Sequence, residues 1–565
     1  MRRWVVSMTC TLGLGCAAVP GNHDDVVAVG DPDAGTGGSA AAPAGGAGPG
    51  GTSGSTGAGG TAGSGGSLNI DAGVGGAPSD PCDSSQPNTS YVGCEFWPTV
   101  TSNSVWEVFD FAVVVANAGD QPATISIDRA GTQVATGTVK PRGLAKFHLP
   151  WVPELKGGQG NTCGTLGPAL DSPLVQHGAY HLVSTSAVSV YQFNPLEYAS
   201  KGGPAGKDWS SCPGLEACFT NQNQPIGCYS FTNDASLLLP ANAWTGTYRV
   251  MGQKNHKSGN FVSITAATDG THVSVKLSAL AKVIAGTATT ETGPGGLVSL
   301  DLNRGDVAQL VGDVGSDLSG SLLTSNHPVQ VVSGVRCTEE PVGTPACDHL
   351  EETLMPAETL GTRYFVTAPT SPLGKVPGHR VRIYGNSDQT KLTYPAGAPT
   401  GAPTEIAAGQ VVDLELVKSD FEVVGSAPFG VASFMLGGAI QDPPTSAGDE
   451  DYRGDPSQTF TIPVEQFRKT YVFLAPDDYD VSYVDVVMPL DATLELDGAK
   501  LTIQPTPIGA EFGVARVKLD AGEGGAHLLL ATKPVGIQVM GYGSYTSYHY
   551  PGGSNLERIA PPPVK

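Results

Sequence analysis

The chain has 565 residues and a formal net charge of −22, and only 15% of its residues are charged. This acidic balance excludes nucleic acid as a partner, because its phosphates would be repelled. The abundance of Gly, Thr, Val, Ser and Pro disfavours long helices and predicts an all-β protein with short strands and many turns.

Residues 1–16 predict an export signal. Arg2 and Arg3 give a positive start, and the apolar run that follows is too short to span a bilayer. The run ends at Cys16 in a sequence that resembles a bacterial lipobox, except that Gly13 stands where Leu is usual. We expect a secreted or outer-surface protein, with lipidation of Cys16 and plain signal cleavage as the two alternatives. A lipid anchor at this cysteine would be its one attachment to a membrane.

Residues 17–80 predict a flexible linker. Most of this segment is Gly, Ala, Ser, Thr and Pro, a composition that cannot bury a hydrophobic core. Such a chain behaves as a flexible coil and would tether a folded region to the exported end. We therefore place the folded region at residues 81–565.

The folded region carries an even set of cysteines, which behind an export signal indicates disulfide bonds. The eight are Cys82, Cys94, Cys163, Cys212, Cys218, Cys228, Cys337 and Cys347. Proximity along the chain favours Cys82–Cys94 and Cys337–Cys347 and leaves the pairing of the other four open. A zinc site in the cluster from Cys212 to Cys228 is the alternative, but the C-x₂-C spacing typical of structural zinc is missing.

Four copies of one β pattern follow one another, at about 105–195, 245–337, 362–440 and 468–550. In each copy, strands alternate apolar and polar residues, so that one face meets a core and the other meets water. The first strands begin near Phe111, Phe261, His379 and Ser482. Third strands are predicted from Leu144, Leu297, Val411 and Val514. A last pair of strands flanks a turn at Ala187, Pro328, Pro428 and Pro534.

The size of one copy, about 100 residues, predicts tandem β-sandwich-like repeats. The alternative is a β-propeller-like ring in which each copy supplies two four-stranded blades. The longer interval after the first copy contains a Cys-rich insertion at 194–244.

Three motifs identify a family resemblance. They are Gly93-Cys-Glu-Phe-Trp97, Asp234-Ala-Ser-Leu-Leu-Leu-Pro240 and Ala346-Cys-Asp-His-Leu-Glu-Glu352. In their order and spacing they resemble the N-terminal domain family of IgGFc-binding proteins, here as a bacterial secreted member, over about 82–550. The family takes its name from an animal member that binds the Fc part of immunoglobulin G. The resemblance implies a binding protein but assigns no binding residue in this chain.

The run after Cys347 holds the residues best suited to chemistry. Asp348, His349 and Glu352, with Glu351 between them, suggest a metal or acid–base site. The alternative, which we favour, is a short capped helix with Asp348 near its N-terminus, ended by Pro356.

A second acidic run lies at 449–451, with Asp455 nearby. Carboxylate oxygens suit Ca²⁺, although a solvated acidic loop is the interpretation we favour. Arg453-Gly454-Asp455 matches an integrin-binding tripeptide, but so short a string arises readily by chance.

No Gly-x-Ser-x-Gly elbow, phosphate-binding loop or His-Glu-x-x-His zinc helix occurs. We therefore predict a protein that is not an enzyme and needs no cofactor. The predicted function is a secreted or surface-anchored binding and adhesion protein that recognises a protein or a glycan. The alternatives are a structural component of an envelope or extracellular matrix and a glycan-acting hydrolase.

Overall fold

The computed structural model describes residues 82–159, 170–200, 203–216, 218, 225, 227–254, 256–443, 452–519 and 525–563. The predicted export signal with Cys16, the linker, Cys163 and the acidic run 449–451 lie outside these residues. Among the helices of the described chain, none is long and apolar enough to cross a membrane.

The regular secondary structure of the described chain is almost wholly β-strand, and we group the strands into four β units. Unit 1 contains β1 (Gly93–Phe96), β2 (Phe111–Ala116), β3 (Ala123–Arg129), β4 (Thr132–Val139), β5 (Leu144–Leu149), β7 (His181–Phe193) and β8 (Ala235–Leu238). Unit 2 contains β9 (Thr245–Arg249), β10 (Asn260–Ala266), β11 (Thr271–Lys276), β12 (Leu297–Leu302), β13 (Val307–Val311), β14 (Leu322–Thr338) and β15 (Asp348–Thr353). The short β6 (Leu174–Val175) pairs with β13.

The second half of the chain repeats this arrangement. Unit 3 contains β16 (Arg363–Val366), β17 (His379–Gly385), β18 (Thr390–Thr393), β19 (Glu405–Ile406), β20 (Val411–Val417), β21 (Phe421–Gly425), β22 (Phe429–Phe434) and β23 (Gln458–Phe460). Unit 4 contains β24 (Arg468–Leu474), β25 (Val481–Pro489), β26 (Leu494–Leu496), β27 (Ala499–Lys500), β28 (Thr506–Ile508), β29 (Phe512–Leu519), β30 (Ala526–Gly543) and β31 (Thr546–Pro551).

Helices are confined to single turns between strands. The α-helical turns are α1 (Pro153–Lys156), α2 (Pro213–Glu216) and α3 (Gly438–Gln441). The 3₁₀ turns are Ala241–Ala243, Ala357–Thr359 and Val464–Gln466.

Each unit is a sandwich of two antiparallel sheets. In unit 1 the outer sheet has the order β4-β3-β7-β1 and the inner sheet the order β5-β2-β7-β8, so that β7 belongs to both. Side chains from the two sheets share one apolar core, as in unit 3, where Leu392 and Val423 of the outer sheet cluster with Val381 and Ile383 of the inner sheet. The predicted all-β fold of tandem sandwich-like repeats is confirmed.

The four inner sheets meet at their innermost strands. β8, β15, β23 and β31 contact one another in a closed cycle, which we call the inner-strand ring. Units 1 and 4 are joined by further contacts: Ser90 forms a β-bridge with Asn555, and the Tyr91 hydroxyl accepts a hydrogen bond from the Val472 N–H at 2.9 Å. The ring alternative thus describes how the inner strands are arranged, while sandwiches build the units.

Two sequence expectations about the strands are wrong. The strand from Leu297 is β12, which pairs with β11 in the outer sheet, and the inner-sheet counterpart of β5, β20 and β29 is β13. β12 alternates exposed and buried residues, whereas β13 is buried throughout and apolar except for Gln309, so a search for alternation finds the outer-sheet strand and passes over the inner one.

The closing turn is also absent from three units. β7, β14 and β30 run without interruption from the outer to the inner sheet, and only unit 3 divides its strand, around Pro428. In β14 a register shift between Thr324 and Val329 accompanies the crossing. A local irregularity of this kind bends a strand without ending it.

Three disulfides with both cysteines among the described residues fasten loops beside the sheets. The expected pairs Cys82–Cys94 and Cys337–Cys347 are present, and Cys212 bonds to Cys228. Cys218 is also disulfide-bonded. These bonds replace the zinc alternative at Cys212 and Cys228 and indicate an oxidising compartment.

A buried lysine marks the link between the first strands and β6. Lys156 ends α1 with no exposed surface, and its Nζ has no hydrogen-bond partner among the described residues. The ammonium lies 5.4 Å from the centre of the Trp151 ring, an attraction that offsets only part of the desolvation cost. Burial lowers the pKa of Lys156 to about 8.

We expect Lys156→Met to stabilise the fold by about 1–3 kcal/mol at pH 7, because Met keeps the apolar stem and removes the buried charge. The lowered pKa of Lys156 determines how the stability gain of Lys156→Met changes with pH. The cost of charging Lys156 is complete below pH 8 and fades as the unfolded lysine loses its proton near its normal pKa. Urea unfolding at pH 7 and at pH 10 should therefore show a smaller gain at pH 10. An equal gain at both pH values would contradict the assignment.

Candidate functional site

The inner-strand ring places one carboxylate at the point where the four units meet. Asp234 directly precedes β8, and its Oδ1 accepts hydrogen bonds from the N–H groups of Ala235 at 2.9 Å and His549 at 3.3 Å. Its Oδ2 accepts from the N–H groups of Glu351 at 3.1 Å and Gln458 at 3.2 Å. Each unit therefore donates one backbone N–H to the same carboxylate, which we call the axial carboxylate.

The other units carry different side chains at the corresponding position. The residues just before the other three donors are Leu350, Ser457 and Tyr548. A single carboxylate at the axis satisfies all four N–H groups, whereas four carboxylates there would repel one another.

The axial carboxylate has no exposed surface. Burial raises the pKa of Asp234, and the N–H donors of Ala235, Glu351 and Gln458 oppose that rise. All four neighbours at the carboxylate are donors, so the ionised form matches the site, whereas a carboxyl O–H would lack an acceptor.

The structure places the predicted site residues on a strand. Our prediction of a short capped helix at these residues is therefore wrong. Asp348, His349, Glu351 and Glu352 lie on β15, which pairs with β14, and all four are fully buried. Pairing with a long neighbouring strand overrides the helix-start signal of an acidic residue.

Strand alternation directs these side chains to different partners. Glu351 accepts hydrogen bonds from Thr101 Oγ1 at 2.7 Å, Asn194 Nδ2 at 2.5 Å and Gln192 Nε2 at 3.2 Å. His349 lies 3.3 Å from the same threonine hydroxyl and 3.5 Å from Glu351. This face of β15 forms a closed polar network that ties unit 2 to unit 1.

Asp348 and Glu352 lie outside that network. Glu352 Oε1 accepts from the N–H groups of Leu237 and Thr353, and Asp348 Oδ1 accepts from the His349 N–H at 2.8 Å. Burial raises the pKa of both carboxyls well above the ordinary range. Metal binding by Asp348, His349 and Glu352 together stays a prediction.

The tripeptide Arg453-Gly454-Asp455 is not accessible to an integrin receptor in this fold. Asp455 has no exposed surface, and Arg453 forms an ion pair with Asp442 at 2.7 Å. A receptor could not reach the carboxylate without opening the fold.

A cluster that the sequence analysis missed lies beside the Cys-rich insertion. Asp110, His148 and Glu197 bring ligand-type atoms within 4.8 Å of one another. Lys207 already binds two of them, at 2.8 Å to Asp110 Oδ2 and 2.5 Å to Glu197 Oε2. The cluster therefore works as an ion-pair network that holds the insertion against unit 1, and its members are too far apart in sequence to form a motif.

The described surface has an open cleft of about 360 Å³ where units 1 and 2 meet the C-terminal segment. Its lining includes Gln86, Glu95, Asn242, Arg304 and Arg558. Arg304 is half exposed, and its guanidinium lies 4.7 Å from the centre of the Trp97 ring and 3.5 Å from Glu95 Oε1. A hydrogen bond from His181 lowers the pKa of Glu95, so this carboxylate is charged at neutral pH.

Comparison with known proteins agrees with this architecture. The family model described as IgGFc binding protein matches residues 234–541, which is more than half of the chain. The match begins at the axial carboxylate and includes the inner strands of units 1, 2 and 3. The chain belongs to this family.

A human relative named IgGFc-binding protein is 30% identical over 337 residues. The aligned part covers 58% of this chain and 6% of the human protein, so the chain spans only a small part of that relative's length.

We expect Asp234→Leu to destabilise the fold by at least about 3 kcal/mol, because four buried N–H groups lose their acceptor while the branched shape of the side chain is kept. Asp301→Asn is the matched control, since Asp301 is almost fully exposed and pairs only with His272. Chemical denaturation of both variants checks this. A loss for Asp234→Leu no larger than that of the control would show that the axial carboxylate does not hold the ring.

Proposed function

We propose that this protein is a secreted, non-catalytic binding protein that recognises a protein ligand at the cleft between units 1 and 2. Membership of the IgGFc-binding family supports binding as the activity. The disulfides support an oxidising, extracellular location. A bacterial origin, surface display and a lipid anchor at Cys16 belong to this proposal and rest on the sequence alone.

The proposal rests on the positions of the carboxylate and histidine side chains. A group of five carboxyls is fully buried on the axis, and internal N–H and side-chain donors bond to Asp234 and Glu351. A glycan-acting hydrolase needs a carboxylate pair that a substrate can reach. The axial groups do not offer one, which favours binding over hydrolysis.

The cleft offers the polar groups that a protein surface requires. Arg304 and Arg558 supply guanidinium donors, and Glu95 supplies one charged acceptor, in a recess whose remaining lining mixes amides and hydroxyls with apolar side chains such as Trp244 and Pro328. Arginine held over an aromatic ring is pre-ordered and well suited to carboxylates on a partner. We infer a ligand that presents an acidic loop bearing at least one donor for Glu95.

The cleft depends on the closure of the ring. Its lining comes from the start of unit 1, the segment before β9, the β12–β13 turn and the C-terminal segment. Because these elements are held by the fold, the protein would bind without large rearrangement.

The proposal is tested by measuring how the full chain binds to purified extracellular proteins, including immunoglobulin G Fc, and to a glycan array. We expect binding to at least one protein, and a loss of about 10-fold in affinity or more for Arg304→Ala and Arg558→Ala, which corresponds to about 1.4 kcal/mol. Arg142→Ala is the control, since Arg142 is an exposed arginine paired with Asp120 away from the cleft.

Each contrary outcome has a defined meaning. Binding to glycans alone would overturn the protein ligand. Equal affinity for the Arg304 variant and the Arg142 control would overturn the cleft. Self-association of the full chain with silence on both arrays would favour a structural matrix component.

A further inference from the structure

The axis has an unbalanced set of buried charges. Five carboxyl groups there have no exposed surface, namely Asp234, Asp348, Glu351, Glu352 and Asp455. Within the described residues, none of them forms an ion pair with a lysine or an arginine. His549, whose backbone N–H bonds to Asp234, adds no positive charge, because burial lowers its pKa to about 3. Isolated buried carboxylates are costly, so something must neutralise this group.

Asp234 and Glu351 are satisfied by hydrogen-bond donors, but Asp348 and Asp455 are not. Asp348 Oδ2 and both carboxylate oxygens of Asp455 lack a hydrogen-bond partner in the described chain. The Gly438 N–H lies close enough to lower the pKa of Asp455 but does not bond to either oxygen in good geometry. Three oxygens of Asp348 and Asp455, together with Glu352 Oε2, are thus buried without a hydrogen bond in good geometry among the described residues.

Equivalent positions in the ring bring these two residues together. Asp348 and Asp455 each lie three residues before the residue whose N–H bonds to the axial carboxylate, and Thr232 and Thr546 stand at the same place in the other units. The charge of Asp455 acts on the Asp348 carboxyl, and Ser547 lies beside both residues: its N–H is at the Asp348 carboxyl, and its Oγ accepts from the backbone N–H of Asp455 at 3.2 Å.

Further unpartnered oxygens border the same place. The Thr546 hydroxyl, at the equivalent position in unit 4, and the buried Tyr479 hydroxyl both lack a hydrogen-bond partner among the described residues. Burial raises the pKa of the Tyr479 phenol, and the neighbouring Asp348 carboxyl raises it further. The atoms named here, all from the part of the chain that the structure describes, are oxygens.

We propose that Asp348 and Asp455 bind a calcium ion on the ring axis. Carboxylate and hydroxyl oxygens without nitrogen or sulfur form the donor set that hard divalent cations prefer, and Ca²⁺ tolerates irregular geometry where Mg²⁺ does not. The ion neutralises the two carboxylates and links β15 of unit 2 to the segment before β23 of unit 3. Of the three metal ligands predicted from the sequence, this proposal retains Asp348. Asp455 takes the place of His349 and Glu352.

The competing explanation is that protons neutralise the pair. A carboxyl whose pKa is raised in the folded state makes the fold less stable as pH rises from the unfolded value towards the folded one. Protonation alone therefore predicts a fold that gains stability on acidification and ignores calcium, which separates the two explanations.

The test uses the full chain, stripped with EDTA and passed into calcium-free buffer. We expect elemental analysis to find about one Ca²⁺ per chain after equilibration with CaCl₂ and gel filtration. Thermal unfolding should shift upwards by several degrees with CaCl₂ and much less with MgCl₂, because a ligand that binds only the folded state stabilises it.

The variants are Asp348→Thr and Asp455→Thr, because threonine already stands at this position in two units and the ring accommodates it there. Each should lose the calcium-dependent shift. The control replaces the acidic run at 449–451 with Asp449→Asn, Glu450→Gln and Asp451→Asn together, and should keep the shift.

Three results would overturn the proposal. One is wild-type chain without bound calcium whose stability rises on acidification. The second is an undiminished calcium shift in Asp455→Thr. The third is a calcium-dependent thermal shift that is lost only in the control variant of residues 449–451, which would show that the ion binds at that acidic run. If a threonine variant fails to fold, the metal content of the wild-type chain and its response to EDTA still decide the matter.

Discussion

The carboxylate of Asp234 accepts one N–H bond from each of four β units that lie far apart in the sequence. A sheet edge normally exposes unpaired N–H groups, and here four such groups converge on a single buried acceptor. The remaining architecture depends on this constraint, because the inner strands reach the axis only if their N–H groups find a partner there. Repeated sandwiches could otherwise have been arranged as separate domains in a row.

The closure of the ring determines where the candidate binding cleft lies. Ser90 pairs with Asn555, and an apolar cluster spans units 1 and 4, so that the two ends of the described chain lie together. The cleft with Arg304 and Arg558 is assembled at this closure. The buried axis and the exposed cleft therefore have different roles. The axis fixes the relative positions of the units, and the cleft provides polar groups that a partner can reach.

The sequence predicted the all-β class, the alternating strands and two disulfides because these depend on local periodicity and short spacing. It selected β12 in place of β13, because β12 shows the alternating pattern and β13 is a fully buried run without it. It assigned a helix to Asp348 and its neighbours because the competing partner, β14, lies outside the local window. The role of Asp234 depends on Glu351, Gln458 and His549, which only the folded ring brings together. The family motif did contain Asp234, but nothing in that motif reveals its three distant donors.

Hydrogen exchange at four amides tests most directly whether one carboxylate holds four units. The N–H groups of Ala235, Glu351, Gln458 and His549 should all belong to the slowest-exchanging class in the native protein. In Asp234→Asn, which replaces one acceptor oxygen by a donor, all four should exchange faster together. Faster exchange at Ala235 alone, with the three distant amides unchanged, would contradict the account and reduce Asp234 to a local cap of β8.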